Sequence, residues 1–162
     1  MGMQTDVRSQ YANTSGLMIP FRTRVKAVFF GVATTTSGLV GLYDNSSIAG
    51  TYARSTTTAT VTAPDHGLIA GEWAFIDWSG GTNPTDDFYK VVNVVNANTF
   101  TVAVADAGDA SGVATVYNNV LVMSTVSASN DVFNIIPGEG ILAPNGVRVY
   151  LENSITATVY YG

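Results

Sequence analysis

The residue types that carry most enzyme chemistry are scarce in this chain. His66 is the only imidazole in 162 residues, and it stands in Pro64-Asp65-His66-Gly67. A general base needs an orienting carboxylate and a nucleophile within hydrogen-bond reach. Asp65 is merely adjacent in sequence, and Pro-Asp-x-Gly is first of all turn chemistry, with Asp bonding its own backbone and Gly allowing positive φ. The structural reading of His66 is preferred. Asp86-Asp87, with Asp77 in a neighbouring run, are the next candidates, as a Ca²⁺ site or a glycosidase pair. No D-x-D-x-D-G spacing is present, so a solvated loop is the expectation, and Asp106 and Asp109 read the same way. With no cysteine, thiolate catalysis, disulfides and Cys-ligated zinc are excluded. The glycine pairs lack a following helix and make no phosphate cradle. No catalytic residue, cofactor or metal site is expected, and the chain is read as a non-enzyme.

Two side-chain sets remain as recognition candidates. Trp73, Phe75, Trp78, Phe88 and Tyr89 form the densest aromatic set. Trp73 and Phe75 are two residues apart on one strand face, as a core-facing pair would be. Trp78 points the other way beside Ser79-Gly80-Gly81, so it is the aromatic expected to be exposed, able to stack a sugar ring; core packing is the preferred reading for the set as a whole. Basic residues form the second set. Arg22, Arg24 and Lys26 share one strand face, and Arg8 lies in the segment before them. Two readings stay open: a charged edge that resists aggregation, or a docking stripe for an acidic partner.

The elements that must position these residues are all strands. Strand-length runs at Thr58–Ala63, Glu72–Trp78, Phe88–Val95 and Thr99–Val104 are parted by Gly-, Pro-, Asn- and Asp-rich breaks, and they read as an antiparallel meander. Phe21–Val32 alternates, with Phe21, Thr23, Val25, Ala27 and Phe29 on one face. Ile141–Ala143, Pro144-Asn145-Gly146 and Val147–Leu151 read as a hairpin on a type I′ turn. No apolar 3.6-residue period persists with helix caps. The expected fold is an all-β, antiparallel, jelly-roll-like sandwich with an inserted small β module. Its parts are an arm at 1–16 (a first edge strand across 5–11 being an alternative), a sandwich from 17–57 plus 118–162, and a meander module at 58–117.

Composition narrows the partners. Charged residues make up 12%, about half the usual share, so either much of the surface is covered or a Thr/Ser-rich face stands alone in water. A net charge of −5 argues against nucleic acid, whose binders neutralise phosphates with Lys and Arg, and against an anionic membrane surface. No basic start with an apolar stretch marks an export signal, and no run nears ~18 apolar residues.

The central segment, with PDHGLIAGEW, then DWSGGT and DDFYKVVNVVNANTFTV, resembles a small β module of tailed-bacteriophage virion proteins. Its flanks, RTRVKAVFF, GLVGLYDN and IPGEGILAPNGVRVYLENSITATVYYG, resemble small structural proteins of marine-type phages. The matches cover most of the chain beyond Phe21, although Asp87 stands where the module often has Gly. The resemblance implies a capsid decoration (cement) protein, bound to the major capsid protein on the outer surface of the virion after synthesis in the host cytoplasm. It also implies a homo-oligomer, with a trimer favoured, and carries over no catalytic residue. The rival readings are a tail, neck or fibre-base virion protein and a carbohydrate-binding β module.

Overall fold

The structure, a computed structural model, describes residues 7–32, 37–80, 84–105 and 108–162. Among them every regular element is a strand, and the sheets are antiparallel. The chain begins with β1 (Arg8–Ala12), β2 (Gly16–Ile19), β3 (Thr23–Val32) and β4 (Gly38–Asp44). It continues with β5 (Ile48–Ser55), β6 (Thr58–Thr62), β7 (Trp73–Ser79), β8 (Asp87–Asn96), β9 (Thr99–Ala103) and β10 (Ala110–Tyr117). β11 (Val120–Val126), β12 (Val132–Ile135), β13 (Ile141–Ala143), β14 (Val147–Leu151) and β15 (Ile155–Tyr161) follow. Two compact units divide these strands: Met1–Asn45 with Leu121–Gly162, and Ser46–Val120.

In the terminal unit, one sheet runs β1-β15-β3-β12 with β13 also paired to β3, and the other runs β11-β4-β14-β2. Both sheets feed one core: Val28 and Phe30 of β3 and Ala157 and Val159 of β15 pack with Leu42 of β4 and Val149 of β14. Each of these side chains larger than alanine contributes roughly 1.5–3 kcal/mol on burial. The alternation expected along Phe21–Val32 holds only as far as Val25. Pairing jumps from Val25↔Tyr161 to Ala27↔Tyr160, leaving Lys26 without a counterpart on β15. This β-bulge reverses which face points inward, so Val25 is buried before it and Val28 and Phe30 after it, while Phe29 is half-buried.

Three sequence expectations are corrected here. The arm is not without structure throughout, because β1 pairs along its whole length with β15, from Arg8↔Tyr161 to Ala12↔Ala157; residues 1–6 lie outside the described residues. Second, β13 and β14 do not form a hairpin. β13 pairs with β3 in one sheet and β14 with β2 and β4 in the other, so Pro144-Asn145-Gly146 carries the chain between sheets. Of Asn145 and Gly146 only Gly146 has positive φ, at 101°, whereas type I′ needs it at both central positions. The buried carboxylate of Asp44 fixes this corner, its Oδ2 accepting from Asn145 N at 3.0 Å and its Oδ1 from Asn145 Nδ2 at 2.9 Å.

The third correction concerns the inserted module. It starts at Ser46 rather than 58 and ends at Val120, because β5 pairs with both β6 and β10. Nor is it a simple meander. β7, β8 and β9 do pair in succession, but β6 lies beside β9, and the strands close as β10-β5-β6-β9-β8-β7 with β10 bonded to β7. Closure removes every free edge. Gly112 on β10 makes it sterically feasible. A Cβ there would meet the backbone oxygen of Ser79, that of Gly80 at 2.7 Å and Tyr52 Cε1 at 2.8 Å.

Candidate functional site

The barrel's two tryptophans are placed opposite to expectation, whereas Phe75 and Phe88 are buried, as the core reading of the set has it. Trp78 is 4% exposed and Trp73 is 38% exposed. In a closed barrel the inward face of β7 is the even one, so Ala74, Ile76 and Trp78 fill the interior. Tyr52 and Tyr89 flank the Trp78 indole edge-on, with ring centroids at 4.9 and 5.4 Å. The Trp78 indole N–H is buried and makes no hydrogen bond of ordinary geometry. Phe75 does point away from the interior, yet it is buried by its cross-strand neighbours Phe88 and Tyr117, at 5.3 and 6.0 Å. Trp73 is therefore the tryptophan that reaches solvent. It lies opposite Lys90 on β8 and lines an open apolar groove of about 750 Å³ with Val92 and Tyr89. The Tyr89 phenol is pushed up to about 12, first by burial and then by the charge of Asp87, with Asp86 adding to it and a polar contact with Trp78 opposing.

His66 is 1% exposed, and backbone engages both of its ring nitrogens. Leu68 N donates to Nδ1 at 3.0 Å, which assigns the proton to Nε2, 3.2 Å from the Asn96 carbonyl. Asn118 Nδ2 donates to the His66 carbonyl at 2.8 Å, and the ring packs edge-on against Phe100 at 4.9 Å. Its surroundings tie the β6–β7 connection to the β8–β9 turn: Asp65 N donates to Asn98 Oδ1, and Ala63 N donates to the Asn98 carbonyl. Gly67 takes the positive φ foreseen for it, at 67°, and Asp65 is left-handed as well, at 49°.

The carboxylates are likewise spent on backbone. Asp86 Oδ1 accepts from Trp78 N at 2.8 Å, Asp87 Oδ1 from Phe88 N at 2.7 Å and Glu72 Oε2 from Ile69 N at 3.0 Å. Glu152 and Asp131 do the same in the terminal unit, for Leu39 N and Val32 N. Asp77 is exposed on the outer face of β7. Among the described residues no group of His, Cys, Asp and Glu is arranged to hold a metal ion. Asp106 lies outside those residues, and Asp109 is exposed just before β10.

The basic residues separate into two pairs. Lys26 Nζ donates to the Glu139 carbonyl at 2.8 Å, and Arg24 Nη1 donates to the Gly140 carbonyl at 3.3 Å. Both side chains thus secure the turn that interrupts pairing between β12 and β13, opposite the Lys26 bulge. Arg22 precedes β3 and is exposed, as is Arg8 on β1. The pairing of β1 with β15 and of β15 with β3 brings them together: Arg8, Phe21, Arg22, Thr23 and Tyr161 line one cleft of about 240 Å³. A second cleft of the same volume shares Arg22 and Thr23 and adds Arg24 and Leu142. Phe21, expected on the buried face, is 48% exposed and sits 6.1 Å from the Tyr161 ring. Phe21, Trp73, Tyr11 and Phe133 are exposed aromatics that the sequence reading did not single out as such; Pro20 directly before Phe21, with no N–H to give to a ladder, was the available sign that the strand begins after it.

No protein-family model matches the chain, and neither a curated protein nor a solved structure does. No helix among the described residues is long and apolar enough to cross a membrane.

Proposed function

We propose that this chain is a non-enzymatic virion structural protein of a tailed bacteriophage, a decoration protein that binds the outer surface of the capsid and stabilises the head. The observation that carries the reading is strand order. Successive strands of the terminal unit alternate between the sheets, except that the step from β4 to β11 stays within one sheet and β12 and β13 follow each other along β3 in the other. With β12 and β13 sharing one position, the orders β1-β15-β3-β12 and β2-β14-β4-β11 fit the double Greek key of a jelly-roll sandwich, an architecture of viral capsid and lectin domains. The module occupies the β4–β11 connection. The resemblance of both segments to phage virion proteins points the same way. A protein that binds the assembled lattice and not its separated subunits stabilises assembly by mass action, and self-association, as a trimer, would multiply weak contacts.

Cryo-electron microscopy of virions with and without the protein tests this reading. Hundreds of copies on the head are expected. A handful of copies at the tail or neck selects the rival virion role, and no copies reject both. The exposed Trp73 beside its groove favours one further reading, a carbohydrate-binding barrel, in which Trp73 rather than Trp78 stacks the sugar. A glycan array with wild type and Trp73→Ala decides it.

A further inference from the structure

We infer that the paired clefts at the β1–β15–β3 end of the terminal unit bind an extended acidic peptide segment carrying carboxylates two residues apart. As an assignment of the partner's chemistry, this rests on the docking role proposed above. Neither the Arg8 nor the Arg22 side chain has a hydrogen-bond or ion-pair partner among the described residues, although the chain holds more acidic than basic residues. Two like charges lining one cleft repel each other, and an anion between them removes that repulsion. The planar guanidinium fork matches a carboxylate in bidentate geometry. Arg24 is held by the Gly140 carbonyl at the far side of the second cleft, so that cleft has a fixed cation as well.

Size and lining select a peptide. Each cleft is about 240 Å³, below the ~300–1,000 Å³ of typical small-molecule sites, and suits one side chain. They adjoin through Arg22 and Thr23, as do alternate side chains on one face of an extended chain. Phe21 and Tyr161 on one side and Leu142 on the other offer apolar contact to the carboxylates' methylene stems. Nucleic acid would require a far larger basic surface than two clefts in a chain of net charge −5.

The test is an NMR titration of the full chain with a short, acetylated and amidated peptide of alternating glutamate and serine, reading the arginine Nε–Hε signals and backbone amides. Saturable shifts are expected at Arg8, Arg22 and Thr23, and none with the glutamine–serine analogue. Arg8→Gln/Arg22→Gln should weaken binding about tenfold, the scale of one or two charge-assisted contacts. Lys90→Gln, a charge change on the barrel, should leave it unaltered. Shifts spread over cations including Lys90, unaltered affinity in the double variant, or inorganic phosphate binding these residues as tightly as the peptide would each overturn the inference. The titration involves no capsid, so a chain that binds the peptide but not capsids sinks the decoration reading and leaves the clefts standing.

Discussion

At the scale of single residues, the chain's scarce polar chemistry is used to hold backbone. His66 shows it most clearly, since its ring replaces water for one N–H and one carbonyl inside the barrel. His66→Ala should therefore lower barrel stability by roughly 2–4 kcal/mol, from the cavity and the orphaned Leu68 N–H. Both tryptophans lie in the Ser46–Val120 unit, so denaturant unfolding followed by fluorescence reads this unit, and a loss below half a unit of that range would contradict the account. Tyr89 gives a pH dependence. Its folded pKa of about 12 lies above the ordinary phenol value near 10. The neutral phenol is thus favoured in the folded chain, and its contribution is complete below the unfolded pKa and disappears as pH rises through about 12. Ultraviolet titration of wild type minus Tyr89→Phe should show this late phenol, and Asp87→Asn should bring it down.

At the scale of elements, close approach at Gly112 decides whether β10 can bond β5 and β7 together. Gly112→Ala forces a Cβ against backbone oxygens that cannot rotate away, so a loss of roughly 1–3 kcal/mol or more is expected, with hydrogen-exchange protection falling first along β10 and β7. Unchanged protection there would contradict this role for the glycine. Strand positions were legible in the sequence because each run is bounded by turn residues: β6, β9, β13 and β14 fall where the runs and the Asn, Pro and Gly breaks place them. Pairing was not legible. The Asn145-Gly146 signal describes a local turn preference, whereas Asp44, a hundred residues earlier in the chain, takes the Asn145 amide for the other sheet. Likewise Ile48–Ser55 shares the texture of the strands before it, and only pairing with β6 and β10 assigns it to the barrel. The tryptophans were inverted for the same reason: alternation gives two faces, and barrel closure chooses the inner one. The basic strand was legible as a cluster, but the bulge at Lys26 and the proximity of Arg8 depend on partner strands.

At the scale of the whole molecule, each unit has its own core cluster, and the chain leaves the terminal unit only between β4 and β11, which are neighbours in one sheet. Replacing 46–120 by a short Gly/Ser linker should leave the terminal unit folded, because a change of loop length costs little entropy. Retained amide dispersion and slow exchange along β3 and β15 are the expected result. A chain lacking both would show that the terminal core needs the barrel.

The pairing of Ile48 with Val116 has a mechanical consequence. The strands by which the barrel receives and returns the chain are antiparallel neighbours whose hydrogen bonds lie perpendicular to them. Tension between residues 46 and 120 therefore acts along those bonds and parts them one pair at a time, like a zipper, instead of shearing the whole ladder together. Held in optical tweezers by those two points, the barrel should open at lower force than when held across β6 and β8, yielding strand by strand under load that thermal unfolding never applies.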